Sequence, residues 1–341
     1  MDASRTISEH LLGWYRSHAR SLPWRAPPGS RAPDPYRVWL SEVMLQQTTV
    51  GAVIPYFAKF LALWPSVEAL AAAPEADVMA AWAGLGYYSR ARNLVACARA
   101  VAQLGAFPET EEGLRALPGL GAYTAAAVAA IAFGKRAVVV DANVERVVAR
   151  LFAISDPLPG GRAAIRAATD SITPEQGAGD FAQALMDLGT AICTPRDPKC
   201  LLCPLSAECA GRAGGDPARF PVKAAKKPKP ERVGTAFWIE RDGKVWLVTR
   251  PPSGMLGGMR ALPDDGWIAR QDGSGKPPVT GGWREAGAVK HTFTHFHLTL
   301  RLWVLDAEGE PEGPGEWWPV ERLEQAGLPT VFLKAARLGK A

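Results

Sequence analysis

The chain has 341 residues, 48% hydrophobic and 21% charged, with a formal net charge of +5. At about 150 residues per domain this length predicts two domains, and the composition excludes disordered, fibrous and disulfide-stapled classes. The longest small or apolar run, residues 124–133, is mostly alanine and falls far short of the roughly 20 residues of a bilayer span. The N-terminal stretch offers only Leu11-Leu12, interrupted by Gly13, as the apolar core of a leader, with no small-residue cleavage pattern, so a cytoplasmic protein with no membrane partner is expected. An isoelectric point near 9.0 favours a polyanionic partner, nucleic acid foremost.

From about residue 5 to 212, alanine-rich periodic stretches broken by Pro and Gly predict an all-helical domain. Asp34-Pro35 reads as a helix start, Ser66 and Thr110 as caps, and Gly84, Gly105 and Gly134 as stops. The tract from Phe220 to Glu231 holds four Lys and three Pro and reads as a linker. The expected division is thus 1–219, a linker at 220–232, and 233–341. Beyond the linker, Thr235–Glu240, an Arg-Asp-Gly-Lys turn and Val245–Arg250 predict a β-hairpin, and Val289–Leu305 one or two further strands. Gly/Pro-rich stretches at 25–35, 251–282 and 308–319 read as loops.

Four of the five cysteines crowd together as Cys193-x6-Cys200-x2-Cys203-x5-Cys209, which calls for a metal or a cluster. Zinc would accept four thiolates. The uneven spacing, with Pro195, Pro198 and Pro204 between the ligands, suits a [4Fe–4S] cube better, and Cys97 reads as an ordinary buried thiol.

Leu117-Pro-Gly119-Leu-Gly121-Ala-Tyr123-Thr places a tight turn between two helices, and free N–H groups at the second helix start can hold a phosphate. Glu42 lies four residues after Val38 and three before Leu45, so on a helix its carboxyl shares a face with apolar side chains. Desolvation there raises its pKa and keeps a proton near neutral pH; on spacing alone, pairing with a surface Arg is the common alternative. Asp141, in Val138-Val-Val-Asp141-Ala-Asn143, reads as an N-cap, where the helix dipole favours the charged carboxylate.

Together the hairpin, the cysteine spacing and the Asp141 motif resemble the helix-hairpin-helix DNA glycosylases of the endonuclease III superfamily. Within it, Asp34-Pro-Tyr-Arg-Val-Trp-Leu-Ser-Glu42-Val-Met-Leu-Gln-Gln-Thr48, Leu22-Pro-Trp-Arg25 and Gly84-Leu-Gly-Tyr87-Tyr-Ser-Arg-Ala-Arg-Asn93 resemble the adenine DNA glycosylases of MutY type. The resemblance implies a multidomain fold: an all-α glycosylase domain with a [4Fe–4S] cluster on Cys193, Cys200, Cys203 and Cys209, then an α+β Nudix-like domain. It implies a monomeric, monofunctional glycosylase that flips and removes adenine mispaired with 8-oxoguanine or guanine in double-stranded DNA. Glu42 is then the acid, Asp141 the stabiliser of the sugar cation, and Tyr123 and Asn143 their assistants. Gln47 and Tyr87 match intercalating positions, Gln183, Trp24, Arg25 and Leu45 line the pocket, and Gly119 and Gly121 shape the hairpin.

Tyr123 stands where bifunctional relatives carry a Schiff-base lysine, and this, with the damage-reading second domain that the resemblance implies, argues against an endonuclease III-like or thymine-mismatch enzyme. Glu42 together with Asp141 argues against a non-catalytic damage-binding protein, and the basic chain against an electron carrier. In the second domain Phe293-Thr294-His295 matches a Phe-Ser-His loop that recognises 8-oxoguanine, with Thr keeping the hydroxyl. The acidic metal-binding Nudix signature has no counterpart, so this domain is expected to bind and not to hydrolyse. His291, His295 and His297 are expected on one strand face, without the carboxylates of a metal site. The loop at 256–263 departs from the family's more aromatic version.

Overall fold

A computed structural model describes residues 3–224, 228–251, 254–309, 311 and 313–340. Its contacts divide the chain into two compact units, Met1–Ala224 and Ala225–Ala341.

The first unit is helical: α1 (Ala3–His18), α2 (Pro35–Leu45), α3 (Val50–Leu63), α4 (Val67–Ala72), α5 (Glu75–Trp82), α6 (Tyr88–Leu104), α7 (Glu111–Arg115), α8 (Ala122–Phe133), α9 (Ala142–Leu151), α10 (Arg162–Ile172), α11 (Ala178–Ala191) and α12 (Ala210–Ala213). Its centre is α8, which is apolar all round and buried along most of its length, the pattern of a core helix. Its run of alanines lets α2, α7 and α11 pack against it. The caps behave as their chemistry asks: Asp34 accepts the N–H groups of Tyr36 and Arg37, Ser66 that of Ala69 and Thr110 that of Gly113. Among the described residues, no helix is long and apolar enough to cross a membrane.

The second unit is a mixed sheet of β1 (Glu231–Arg241), β2 (Lys244–Thr249), β3 (Arg260–Ala261), β4 (Arg284–Thr292), β5 (His297–Asp306) and β6 (Glu316–Pro319), followed by α13 (Thr330–Gly339). The order is β3-β2-β1-β5-β4, with β6 also on β2; β1 and β5 run parallel and the other pairs antiparallel. Asp242 and Gly243 both take positive φ, 49° and 69°, the turn that joins tightly twisted strands. α13 packs on β1, β4 and β5 and closes a core containing Trp238, Trp267, Phe296, Leu298 and Phe332.

Several expectations change. Phe220 is buried in the first core, Leu158 N–H donates to Val222 O, and β1 opens at Glu231, so the basic tract is anchored at both ends; residues 225–227 lie outside the described residues. The stretches read as loops at 251–282 and 308–319 contain β3 and β6, while residues 252, 253, 310 and 312 lie outside the described residues. His291, His295 and His297 do not share a strand face. His291 sits on β4 opposite Leu298, His297 on β5 opposite Thr292, and His295 in the bend between them, so adjacent cross-strand pairs point His291 and His297 to opposite faces.

Candidate active site

A cleft of about 810 Å³ in the first unit gathers the predicted residues from distant parts of the chain. Trp24, Arg25, Glu42, Leu45 and Gln47 line it from one stretch, and Gly119, Gly121, Tyr123, Asp141, Asn143 and Gln183 from others. Tyr87 is not part of this lining; it stands outside it, 54% exposed.

Glu42 occupies the middle of α2 and is only 6% exposed. The Tyr123 hydroxyl donates to its Oε2 at 2.7 Å, while its Oε1 has no hydrogen-bond partner among the described residues. Burial pushes its pKa up to about 6; the Tyr123 hydrogen bond opposes this, Asp141 adds to it, and Arg25 opposes it. A carboxyl held there still carries its proton in a useful fraction of molecules near neutral pH. Tyr123 lies one residue into α8, and burial, ahead of the Glu42 and Asp141 charges, keeps its phenol protonated.

Asp141 caps α9: Oδ1 accepts the Val144 N–H at 2.7 Å and Oδ2 the Asn143 amide at 2.9 Å. Asn143 Oδ1 in turn accepts from Arg146 at 2.8 Å, and Arg146 also donates to Gly189 O and Cys193 O. The two carboxyl groups therefore differ in kind. One is buried with a single donor, the other is held at a helix start by a backbone and a side-chain donor.

The hairpin reaches the same cleft. Leu117 and Leu120 are buried and anchor it, and Gly119 (φ 76°) has no room for a Cβ, which would lie 2.5 Å from Asn93 Cβ. Gly121 opens α8 with no side-chain cap, leaving its first N–H groups free for an anion. Gln183 is 5% exposed, and its amide donates within its own helix to Gly179 O at 3.2 Å.

Sequence reasoning missed Asp187. It is 1% exposed on α11 and accepts from Arg20 Nε at 2.5 Å and Arg25 Nη1 at 2.7 Å. An aspartate set among the apolar positions of Ala184-Leu-Met-Asp187-Leu was the available signal, since buried carboxylates are seldom unpaired. Gln46, whose amide donates to Thr124 Oγ1 at 3.1 Å, is another cleft residue that went unnoticed.

The four clustered cysteines are all free thiols and line one pocket with Arg150 and Leu205. Arg150, 2% exposed, donates to Cys193 Sγ at 3.3 Å and to the Thr194, Pro195 and Phe220 carbonyls. Among the described residues no three His, Cys, Asp or Glu side chains stand in a group that could hold a metal ion. Cys97 is fully buried, its thiol pushed up to about 12 by desolvation.

In the second unit Phe293 N–H donates to Phe296 O at 2.9 Å, closing a tight bend whose tip is Thr294-His295, both exposed. Phe293 and Phe296 stack at 4.7 Å beneath it.

Residues 40–168 match the model of the HhH-GPD superfamily of base excision DNA repair proteins, and residues 235–338 match a NUDIX domain. The first unit therefore has the helix-hairpin-helix glycosylase fold. Similar solved structures include a thermostable thymine-DNA glycosylase, 31% identical with a TM-score of 0.56, covering 62% of this chain and 97% of that one. The human adenine DNA glycosylase is 35% identical over 96% of this chain and 73% of its own length. That of Buchnera aphidicola from Schizaphis graminum is 33% identical over 98% of this chain and 99% of its own. The chain belongs to the adenine DNA glycosylase family, and it removes adenine from DNA in base excision repair.

Proposed function

We propose that the substrate is adenine mispaired with 8-oxoguanine or guanine in duplex DNA, bound by a monomer and cleaved hydrolytically by the Glu42–Asp141 pair. The observation that carries this reading is Glu42 itself: a buried carboxyl with pKa about 6, one fixed donor, and Asp141 beside it in an open cleft. A base inside the stack cannot reach such a cleft, so the adenine is flipped into it. Glu42 gives its proton to adenine N7 as the N-glycosidic bond breaks and the bonding pair leaves with the base. The oxocarbenium ion at the anomeric carbon meets Asp141, the logic of paired carboxylates in retaining sugar hydrolysis, and water completes the reaction. Tyr123 orients Glu42, and Asn143 orients Asp141, each by the hydrogen bond already described.

Gln47, on the wall of the cleft, and Tyr87, outside it, enter the duplex as the adenine leaves it, and the start of α8 holds a phosphate. Thr294 and His295 read the opposite base. 8-Oxoguanine differs from guanine by a carbonyl at C8 and a proton at N7, both within reach of a hydroxyl or an imidazole. Their exposure at the end of a bend braced by two stacked phenylalanines favours that role.

Cys193, Cys200, Cys203 and Cys209 would hold a [4Fe–4S] cluster. Four free thiols lining one pocket supply the soft donor set such a group needs, and their uneven spacing in the chain favours it over zinc. When bound it supplies a scaffold to the loop behind α9 and no chemical group. Base release from duplexes with A opposite 8-oxoguanine, G and T tests the whole reading: release in that descending order, with almost none opposite T, is expected. Equal release opposite T overturns it.

A further inference from the structure

The two residues assigned above to the duplex share an uncommon backbone conformation. Gln47 (φ 57°) and Tyr87 (φ 49°) are both exposed, and both hold a left-handed backbone that non-glycine residues seldom adopt. Such conformations persist only where surrounding structure imposes them. Both lie on turns next to helix ends, Gln47 just after α2 and Tyr87 as the residue that opens α6.

One side chain touches both turns. Arg90, 9% exposed, donates through Nη1 to Val43 O and Met44 O, each at 3.0 Å, at the end of α2. Through Nη2 it donates to Thr48 Oγ1 at 3.2 Å beyond Gln47, and to Leu85 O at 3.2 Å and Gly86 O at 3.4 Å before Tyr87. The guanidinium carbon lies 5.3 Å from the ring centres of both Trp82 and Tyr87, and Trp82 Nε1 donates to the same Gly86 carbonyl. Among the described residues every hydrogen-bond acceptor of Arg90 is neutral, so none of these bonds is half of a salt bridge. They close carbonyls that the last turn of α2 leaves without partners, and they hold the two turns to one rigid plane.

We infer that Arg90 is a positioning residue that locks the Gln47 and Tyr87 turns into a single preformed wedge, so that the duplex is opened by a rigid pair rather than by two loops ordered on contact. The planar fork of Arg allows this; a lysine offers one compact head that cannot span both turns. The inference rests on the intercalating role of Gln47 and Tyr87.

The test compares Arg90→Met, Arg90→Lys and Gln47→Ala/Tyr87→Ala with the intact protein, at a temperature where melting curves show each to be folded. Extrusion is read from the fluorescence of a 2-aminopurine beside the target adenine. Base release is read under single turnover from a paired A:8-oxoguanine duplex and from one whose target adenine sits in a three-nucleotide bulge, already unstacked. Arg90→Met is expected to slow extrusion and release on the paired duplex by about tenfold or more, while release from the bulge changes by less than about threefold; Arg90→Lys falls between. Parallel losses on both substrates mean a merely structural arginine and overturn the inference, as does normal extrusion by Arg90→Met when the Gln47/Tyr87 double variant has lost it. Normal extrusion by that double variant instead overturns the intercalating role itself.

Discussion

In the roles proposed for them, the Glu42 cleft and the Thr294–His295 bend solve opposite problems with opposite exposures. Glu42 is buried on a core helix with one donor, because a proton kept near neutral pH needs a site that disfavours the charged form. Thr294 and His295 are exposed at the tip of a short bend, as the role proposed for them, inspecting a base in DNA, requires. On that proposal, damage to the first should show in rate and damage to the second in affinity.

Glu42→Gln breaks this division most sharply. It keeps shape and the Tyr123 bond but delivers no proton, so single-turnover release is expected to fall about 10²–10⁴-fold with duplex affinity near that of the intact protein. In the intact protein, release should decline as pH rises through about 6, since the protonated form is lost; a rate that climbs steadily with pH would exclude Glu42 as the acid. The same burial makes the glutamate a cost to the fold. Its folded pKa lies above its ordinary 4.5, so ionisation opposes folding above pH 6 and not below 4.5. Glu42→Gln should therefore melt higher at pH 7, by about 2 kcal/mol of stability, and lose that advantage near pH 4.

Replacing Thr294 and His295 together with Ala tests the other side. Affinity for A:8-oxoguanine should drop by about 1–3 kcal/mol, that for A:G much less, and saturated release least of all. Equal losses on both duplexes, with a shallower salt dependence, would reduce the second domain to phosphate contacts. Cys200→Ser is expected to lower bound iron, folding yield and duplex affinity together without altering the pH profile; iron analysis and binding curves check it, and stoichiometric zinc in the intact protein would replace the cluster assignment. The smallest effect belongs to Tyr123→Phe. The lost hydrogen bond had been holding the Glu42 pKa down, so the alkaline limb of the rate profile should move to higher pH.

What the sequence made legible is what short range controls. Helix caps such as Asp34 and Asp141, the Asp242-Gly243 turn, the face of Glu42 and the glycine-bound hairpin all follow from residues within a few positions of one another. β3 and β6 escaped because strands of two and four residues exist only through their pairing with β2, and the histidines were misplaced because the Phe293–Phe296 bend ends the alternation on which their common face depended. Asp187 escaped because its partners Arg20 and Arg25 lie more than 160 positions away and meet it only when α11 packs beside α1.

That last contact has a consequence for binding. Two guanidinium groups share one buried carboxylate, so the trio keeps a positive charge of one on the wall of the cleft while its long side chains are already immobilised. Free arginines must give up their rotamer freedom when a phosphate or a nucleotide arrives. Here that ordering is completed as the protein folds, and an incoming anionic strand meets a cation that has nothing left to lose.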